Sequence, residues 1–471
     1  MNLGILTNNK INTLLVGIMS FIISIMFYYA GHNVVSSLIL IITSFILVYI
    51  NKREYGYYTN PVSIFSGIWF LTIGLSTLRL HSVQVEWKFM TWACIIAAFI
   101  FFLLGYYSKT LNFLKSVFQK NQNNNFDNNK KANLILITIV FFSSLIAVTI
   151  ECFFCDIPLF SKDIYSYMKF GVFGIRYFGV LCALVLPLSC IYISKFKKEI
   201  SKKEYMFIII MNIIMFFIPI LILSRGLILT TLFCAMFCLC GIYKKKELII
   251  IPIMLLTAIF LWITIGSFKD DAYLNKAFQM NILEQKEEQY REELHSQSNK
   301  NKKAVAIKNV KLMGTYVYAC LNYDNFDLNV NEVKYTYGKS SFYPIYIITG
   351  LKFITHKQMS DPVDKLRRVM YTYNTYSIMF LPYMDFGIFG IAVFMFIMGV
   401  LSSFFETIYK DVLFSAFVKY CLLFSFFMPL FIYTPTFLLY MFFLIIVKKI
   451  LLFMMYKYSK QDKYSYENFN G

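Results

Sequence analysis

One aspartate stands inside an apolar run of the chain. Asp385 lies in the stretch Phe380-Leu-Pro-Tyr-Met-Asp-Phe-Gly, between a proline and a glycine. A carboxylate in apolar surroundings is costly unless it is paired or does chemical work. In a structural role it would cap a helix that restarts after Pro382, by accepting hydrogen bonds from the backbone N–H groups of Gly387 and Ile388. A structural role and a functional one are both open at this point.

The arginines form the second group of chemically informative residues. A guanidinium group binds phosphate oxygens through two parallel hydrogen bonds and stays charged in partly dry sites. In the topology derived below, arginine collects on the outer side of the membrane, whereas lysine supplies the inner charge. This bias predicts an outward-facing anion site, most naturally for a phosphate or pyrophosphate, and the alternative is that these side chains reach lipid headgroups. The arginines concerned are Arg79, Arg176, Arg225, Arg367 and Arg368.

Membrane helices have to position these residues. The chain has 471 residues, of which 58% are hydrophobic and 19% aromatic, and its mean hydropathy is +0.60. Because a soluble domain carries far more polar surface, the predicted fold class is an all-α polytopic membrane protein with about twelve transmembrane helices. The predicted spans are 11–30, 34–50, 63–80, 89–106, 133–152, 172–193, 205–223, 226–242, 248–266, 377–405, 412–432 and 434–450.

The charges between the spans predict the topology. Alternate connections are basic, and the opposite ones are short and carry few positive charges, such as Gly31-His-Asn33. The positive-inside rule therefore places both termini in the cytoplasm. The same distribution explains the net charge of +19 without nucleic acid, since the lysines lie between apolar segments. The basic connections contain Lys52, Lys109 to Lys131, Lys195 to Lys203, Lys244 to Lys246, Lys410, and Lys448 and Lys449.

Two polar segments interrupt the apolar pattern. An Asn-rich cytoplasmic linker occupies 119–131, within a first region of nine spans that covers 1–266. A large extracytoplasmic loop covers 267–376, before the last three spans in 377–450 and a cytoplasmic tail over 451–471. Within the loop, the run Ala304 to Tyr323 mixes apolar residues and lysines, which predicts an amphipathic helix on the membrane surface. A loop of this size favours an enzyme with an extracytoplasmic substrate over a transporter.

No residue spacing calls for a metal or another cofactor. All four histidines fall on the predicted outer side, and none has the spacing of a metal site. The pair Asp270-Asp271 is similar to the paired acids of metal-dependent lipid-linked glycosyltransferases, but it follows the ninth span instead of lying in the first outer loop. We therefore expect chemistry that is independent of metal.

The order of several motifs resembles a known family. Arg225-Gly226 lies at an outer turn, Tyr337-Gly338 precedes Phe342 and Pro344 in the large loop, and Asn374-Thr-Tyr376 follows. A last motif, Tyr383 to Gly390, enters a span. This order is similar to that of the Wzy-type oligosaccharide repeat-unit polymerases, the O-antigen and capsule polymerases. The topology agrees over nearly the whole chain, and the motif similarity is confined to 176–226 and 335–400.

The resemblance implies a membrane glycosyltransferase of the bacterial cytoplasmic membrane with its site facing the exterior. Its substrates would be polyprenyl-pyrophosphate-linked glycans, and it would move the growing chain to the non-reducing end of the incoming unit. Partners would be the lipid bilayer, a chain-length co-polymerase and a flippase, and no nucleic acid. The resemblance also suggests roles for individual residues. The departing phosphates would bind Arg176, Arg225, Arg367 and Arg368; Asp385 would act as base or orient an arginine; and Tyr337, Asn374, Tyr376 and Tyr383 would contact sugars.

Two other functions remain open. A flippase or exporter of the same lipid-linked units would have short outer loops and symmetry between its halves, and the large loop argues against it. An O-antigen ligase shares the topology and the outer arginines, and usually depends on a histidine in the outer loop. Replacement of His356 would separate a ligase from a polymerase, which should tolerate that change and fail when Arg225 is replaced.

Overall fold

The computed structural model describes residues 8–81, 83–108, 129–161, 166–274, 310–332, 334–342, 345–346, 349, 367–369, 376–408, 411–426 and 439–454. Every regular element in these residues is a helix. The main helices are α1 (Asn8–Tyr29), α2 (Asn33–Tyr55), α3 (Pro61–Thr77), α4 (Phe89–Tyr106), α5 (Lys130–Phe154), α6 (Cys182–Phe196), α7 (Lys202–Leu221), α8 (Arg225–Ile242), α9 (Glu247–Leu274), α10 (Val310–Asn329), α11 (Phe380–Ser403), α12 (Val412–Leu423) and α13 (439–454). Short helical turns occur at Ser166–Lys169, Arg176–Gly179 and Lys244–Lys246, and a π-helical turn follows α11 at Phe404–Ile408.

Eight of the described helices are long and apolar enough to cross a membrane. They coincide with eight of the predicted spans, and two shorter apolar helices, α3 and α12, coincide with the third and eleventh. Helix α9 covers the ninth span, and α13 overlaps the twelfth from residue 439 onward. The prediction of an all-helical chain of the polytopic membrane type is confirmed for the described residues. The count of twelve spans and the orientation of the termini stay predictions.

Local sequence signals begin several of these helices. Asn60 caps α3, because its side-chain oxygen accepts the backbone N–H of Ser63 at 2.8 Å. Pro61 follows at the first helical position, where a backbone N–H would have no intrahelical acceptor. Ser201 and Glu204 form a reciprocal capping box at the start of α7.

The described chain divides into two compact units. The first contains α1 to α4, α10 and α11, and the second contains α5 to α9 and α13. Helix α12 contributes residues 412–416 to the second unit and its remainder to the first. Among the predicted site residues that the structure describes, Arg176 and Arg225 belong to the second unit and the others to the first.

Two glycines allow α4 and α11 to pack closely within the first unit. A Cβ atom at Gly105 would overlap the backbone carbonyl oxygen of Phe396, and one at Gly399 would overlap that of Phe102. Small residues of this kind let helix backbones approach each other in membrane proteins. The two helices thus meet backbone to backbone, beside an aromatic core that includes the fully buried Trp69 and Trp92.

Helix α10 corrects the prediction of a surface helix. Its residues from Cys320 onward are almost all buried, and it packs against α3. The hydroxyl groups of Thr72 and Tyr323 lie 2.8 Å apart across this contact. The prediction was wrong for this part of the segment because the polar residues of α10 bind other parts of the protein instead of water. Residues 304–309 lie outside the described residues.

Helix α6 is the central element of the second unit. It packs against α5, α7 and α8, and α9 packs against α8. The Asn212 side chain of α7 donates hydrogen bonds to the Ser189 hydroxyl of α6 at 2.9 Å and to the Ile208 carbonyl of its own helix at 2.8 Å. The polar side chain is thereby accommodated among apolar helices.

Candidate functional site

Helix α11 is broken directly after Asp385. Phe386 has φ −143° and ψ 23°, and Gly387 has φ 61° and ψ −146°, so two helical pieces meet at these residues. Only glycine adopts the conformation of Gly387 without strain. A Cβ atom at Gly390 would overlap the carbonyl oxygen of Pro382, so the second glycine lets the two pieces approach. The break expected at Pro382 is displaced, because this proline lies in the first turn of α11, where the missing N–H costs nothing.

Next to this break, the Asp385 carboxylate contacts the segment 334–342. Asp385 is fully buried, and its oxygens accept the backbone N–H groups of Ser340 at 3.0 Å and Ser341 at 2.6 Å. The Thr336 hydroxyl donates a third, short hydrogen bond. The helix-cap interpretation, with Gly387 and Ile388 as donors, is wrong because these donors come from a distant segment. Both carboxylate oxygens are used to hold that segment.

Further contacts join the same two segments. The backbone N–H of Thr336 donates to the Met384 carbonyl at 2.9 Å. A Cβ atom at Gly387 would lie 2.7 Å from the Tyr335 hydroxyl, so that hydroxyl packs directly against the glycine. The Tyr337 and Phe386 ring centroids lie 6.4 Å apart, and Tyr337 is 75% exposed. The Tyr-Gly motif and the Asp-Phe-Gly motif thus form one surface, on which the Tyr337 ring is exposed. The sequence alone did not show that these two motifs are in contact. We call residues 334–342 together with 383–390 the clamp.

Two of the predicted sugar-binding tyrosines have buried side chains. The Tyr383 hydroxyl accepts the backbone N–H of Asn331 at 3.1 Å, and its ring packs on Phe326. Tyr376 is fully buried against Phe380, with 4.5 Å between the ring centroids. Of the three predicted sugar-binding tyrosines, only Tyr337 has an exposed ring. Asn374 lies outside the described residues.

The two neighbouring arginines have different surroundings. Arg367 pairs with Glu332 at 2.5 Å, and both side chains are about half exposed, at 50% and 44%. The Arg368 Nε–H points at the Tyr376 hydroxyl at 3.4 Å, so the structure brings these two predicted residues together. Their role in phosphate binding stays a prediction.

Asparagines of α10 hold the backbone of this arginine segment, which the sequence analysis did not foresee. The Asn329 side-chain oxygen accepts the Arg367 N–H at 3.1 Å, and its amide donates to the Arg367 carbonyl at 2.8 Å. One helical turn earlier, Asn325 accepts the Val369 N–H at 2.8 Å. The spacing of four residues between the two asparagines was the available signal, because it places both side chains on one helix face.

Two buried aspartates of α10 were also missed. Asp324 accepts hydrogen bonds from the Trp87 indole at 2.9 Å and from Val85 N–H and the Gln84 amide, both at 3.2 Å. Burial raises the pKa of Asp324 to about 7, although the hydrogen bonds from Trp87 and Gln84 act to lower it. Asp327 accepts the Lys88 N–H at 2.6 Å, and burial raises its pKa too. These carboxylates hold the segment 84–88 against α10.

Arg176 in the second unit is paired with a buried glutamate. Its guanidinium Nη1 lies 3.2 Å from the Glu151 Oε2, and the guanidinium carbon lies 5.4 Å from the centroid of the Phe170 ring. Glu151, near the end of α5, is fully buried, whereas the Arg176 side chain is 28% exposed. The arginine is thus held by an ion pair, and its side chain remains partly exposed. The sequence signal for Glu151 was a lone acid at the end of an apolar helix.

Arg225 is the first residue of α8. Ser224 caps this helix by accepting the Leu227 N–H at 3.4 Å, and Leu223 before it has a positive φ of 54°. A helix N-terminus carries a partial positive charge, to which the guanidinium adds. No group of three or more histidine, cysteine or acidic side chains that could hold a metal occurs in the part of the chain that the structure describes.

Comparison with known protein families, with curated proteins and with solved structures yields no match.

Proposed function

We propose that the chain is a membrane glycosyltransferase that polymerises polyprenyl-pyrophosphate-linked oligosaccharide repeat units. The proposal includes twelve spans, both termini in the cytoplasm and a site on the outer face of the bacterial cytoplasmic membrane. The enzyme transfers the growing glycan from its carrier to the non-reducing end of the incoming unit.

The observation that carries the proposal is the clamp. The resemblance to the repeat-unit polymerases rests largely on the Tyr-Gly and Asp-Phe-Gly motifs, and three hydrogen bonds to Asp385 join the segments that contain them. The open ring of Tyr337 on this surface suits stacking on a sugar. In this scheme Asp385 positions the loop, because both of its oxygens are already used.

The arginines supply the charge that the reaction needs. When a glycosidic bond forms from a sugar pyrophosphate, negative charge develops on the leaving phosphate, and preorganised cations lower the barrier. Arg176 is held by Glu151 and remains partly exposed, as a phosphate-binding arginine should be. Arg225 adds its charge to a helix N-terminus, and Arg367 and Arg368 are further binding candidates.

Glycan banding in a deletion strain tests the proposal. The strain is complemented with the wild type or with Arg225→Ala, at matched membrane levels, and His356→Ala serves as the control. We expect a ladder with the wild type and with the control, and a single repeat unit with Arg225→Ala. Loss of the single unit on deletion would point to an exporter instead, and loss of the ladder with His356→Ala would point to a ligase.

A further inference from the structure

The two oxygens of the Glu151 carboxylate differ in their hydrogen bonding. Oε2 lies 3.2 Å from the Arg176 guanidinium. Oε1 is buried and has no hydrogen-bond partner within the described residues. The whole residue is fully buried. A buried carboxylate oxygen without a donor is rare in folded proteins, because desolvation weakens the fold unless another group satisfies it. Such an oxygen is able to accept a hydrogen bond from a ligand.

Glycines surround this carboxylate. A Cβ atom at Gly171 would lie 3.3 Å from Oε1, and one at Gly179 would lie 3.0 Å from Oε2. Gly171 and Gly174 both have positive φ, at 132° and 81°. The segment 171–174 beside this carboxylate thus contains two glycines with positive φ, and glycine has the widest conformational range, which suits a segment that moves when a ligand enters.

The position of the free oxygen relative to Arg176 defines the ligand. Arg176 can bind an anion, since its side chain is 28% exposed, and Oε1 of Glu151 can accept a hydrogen bond from a hydroxyl group. A ligand with a phosphate close to a hydroxyl satisfies both. This combination occurs in the proposed reaction, where the acceptor sugar hydroxyl approaches the sugar carbon that carries the pyrophosphate.

We propose that Glu151 is the proton acceptor of the transfer reaction, an assignment that rests on the proposed function. The acceptor hydroxyl oxygen forms a bond to the anomeric carbon of the growing chain, and its proton passes to Oε1 of Glu151. The bond between that carbon and the pyrophosphate oxygen breaks, and the oxygen leaves with the electron pair. The Arg176 guanidinium stabilises the negative charge on the departing pyrophosphate. Glu151 then releases its proton to solvent.

The kinetics of Glu151→Gln test this assignment. The full-length protein is purified into vesicles and supplied with lipid-linked single repeat units extracted from the deletion strain. Glutamine preserves the size of the side chain but is not a base, so we expect kcat to fall by about 10²- to 10⁴-fold, with KM within about twofold. Glu199→Gln, an exposed glutamate of the same unit, should behave like the wild type.

Different results reject different parts of the scheme. If Glu151→Gln keeps the wild-type kcat, Glu151 is not the proton acceptor. If only KM rises, Glu151 acts by positioning Arg176, and the assignment as base is equally rejected. Glu151→Asp keeps the carboxylate and should retain more activity than Glu151→Gln at matched thermal stability, whereas a merely structural role predicts that both lose activity in proportion to their unfolding. If the wild type itself does not polymerise the units, the proposed function fails.

Discussion

The Asp385 carboxylate accepts the backbone N–H of Ser341 at 2.6 Å, across 44 residues of sequence. A buried carboxylate with three donors is a strong tether, because charged hydrogen bonds are stronger than neutral ones and each donor would otherwise be unsatisfied. The fold of the segment 334–342 therefore depends on one side chain of α11.

Asp385→Asn should loosen the clamp without destroying the protein. The amide keeps one acceptor oxygen, but its NH₂ group faces a backbone N–H, so we expect a loss of about 1–3 kcal/mol. Thermal unfolding in detergent measures it, together with the rate of proteolysis within 334–342. The exposed Asp156→Asn is the control and should change neither quantity. Equal stability of the Asp385 variant would show that the tether is dispensable.

Gly387→Ala should destabilise the break in α11 for two reasons. The φ of 61° disfavours alanine by about 1 kcal/mol or more, and the added Cβ would lie 2.7 Å from the Tyr335 hydroxyl. Gly31→Ala is the control, since its φ of 83° is also positive but nothing lies within 4 Å of the added Cβ. We expect a larger loss of unfolding temperature at Gly387, partly restored by Tyr335→Phe. No restoration would contradict the contact with the hydroxyl.

Gly105→Ala should separate α4 from α11. The new methyl group would overlap a backbone carbonyl, which cannot move as a side chain can, so a loss of about 1–3 kcal/mol or more is expected. Gly241→Ala in α8 provides the comparison, because its Cβ would lie an ordinary 3.6 Å from Val412. Calorimetry of both variants in the same detergent should show a drop for the first and none for the second.

The contribution of Asp324 to the stability of the protein should fall as the pH rises from about 4 to about 7. Asp324 has a pKa of about 7 in the folded chain against an ordinary 3.8, so between these values only the folded chain keeps the proton. Its stabilising effect is fully present below pH 4 and is lost by about pH 7. Asp324→Asn should flatten this dependence, as measured by unfolding temperature at several pH values. Asp156→Asn should retain the wild-type slope.

Arg367→Ala separates binding from stability. Its ion pair with Glu332 is half exposed, and such pairs contribute about 0–1 kcal/mol. We therefore expect little change in the unfolding temperature. A ladder that shortens at unchanged stability would assign Arg367 to the substrate, and an unchanged ladder would remove it from the site.

The sequence predicted those features that depend on neighbouring residues. The apolar helices follow from local hydropathy, and so their positions agree with eight predicted spans. The misplaced features depend on distant partners. Asp385 finds its donors in the segment 334–342, and the buried state of α10 rests on partners such as Trp87, which binds Asp324 across 237 residues. The sequence pattern did not identify Glu151 as a site residue, because the arginine that pairs with it lies 25 residues away, beyond the end of its helix.

The contact between Trp87 and Asp324 also limits the order in which the first unit can fold during synthesis. The ribosome makes Trp87 237 residues before Asp324, an interval on the order of tens of seconds at about 5–20 residues per second. During this time α1 to α4 are already synthesised, but the polar groups of the segment 84–88 lack the partners that α10 will bring. The first unit therefore cannot be completed until helices α5 to α9 of the second unit have been synthesised. A chain truncated before α10 should remain bound to quality-control factors instead of maturing.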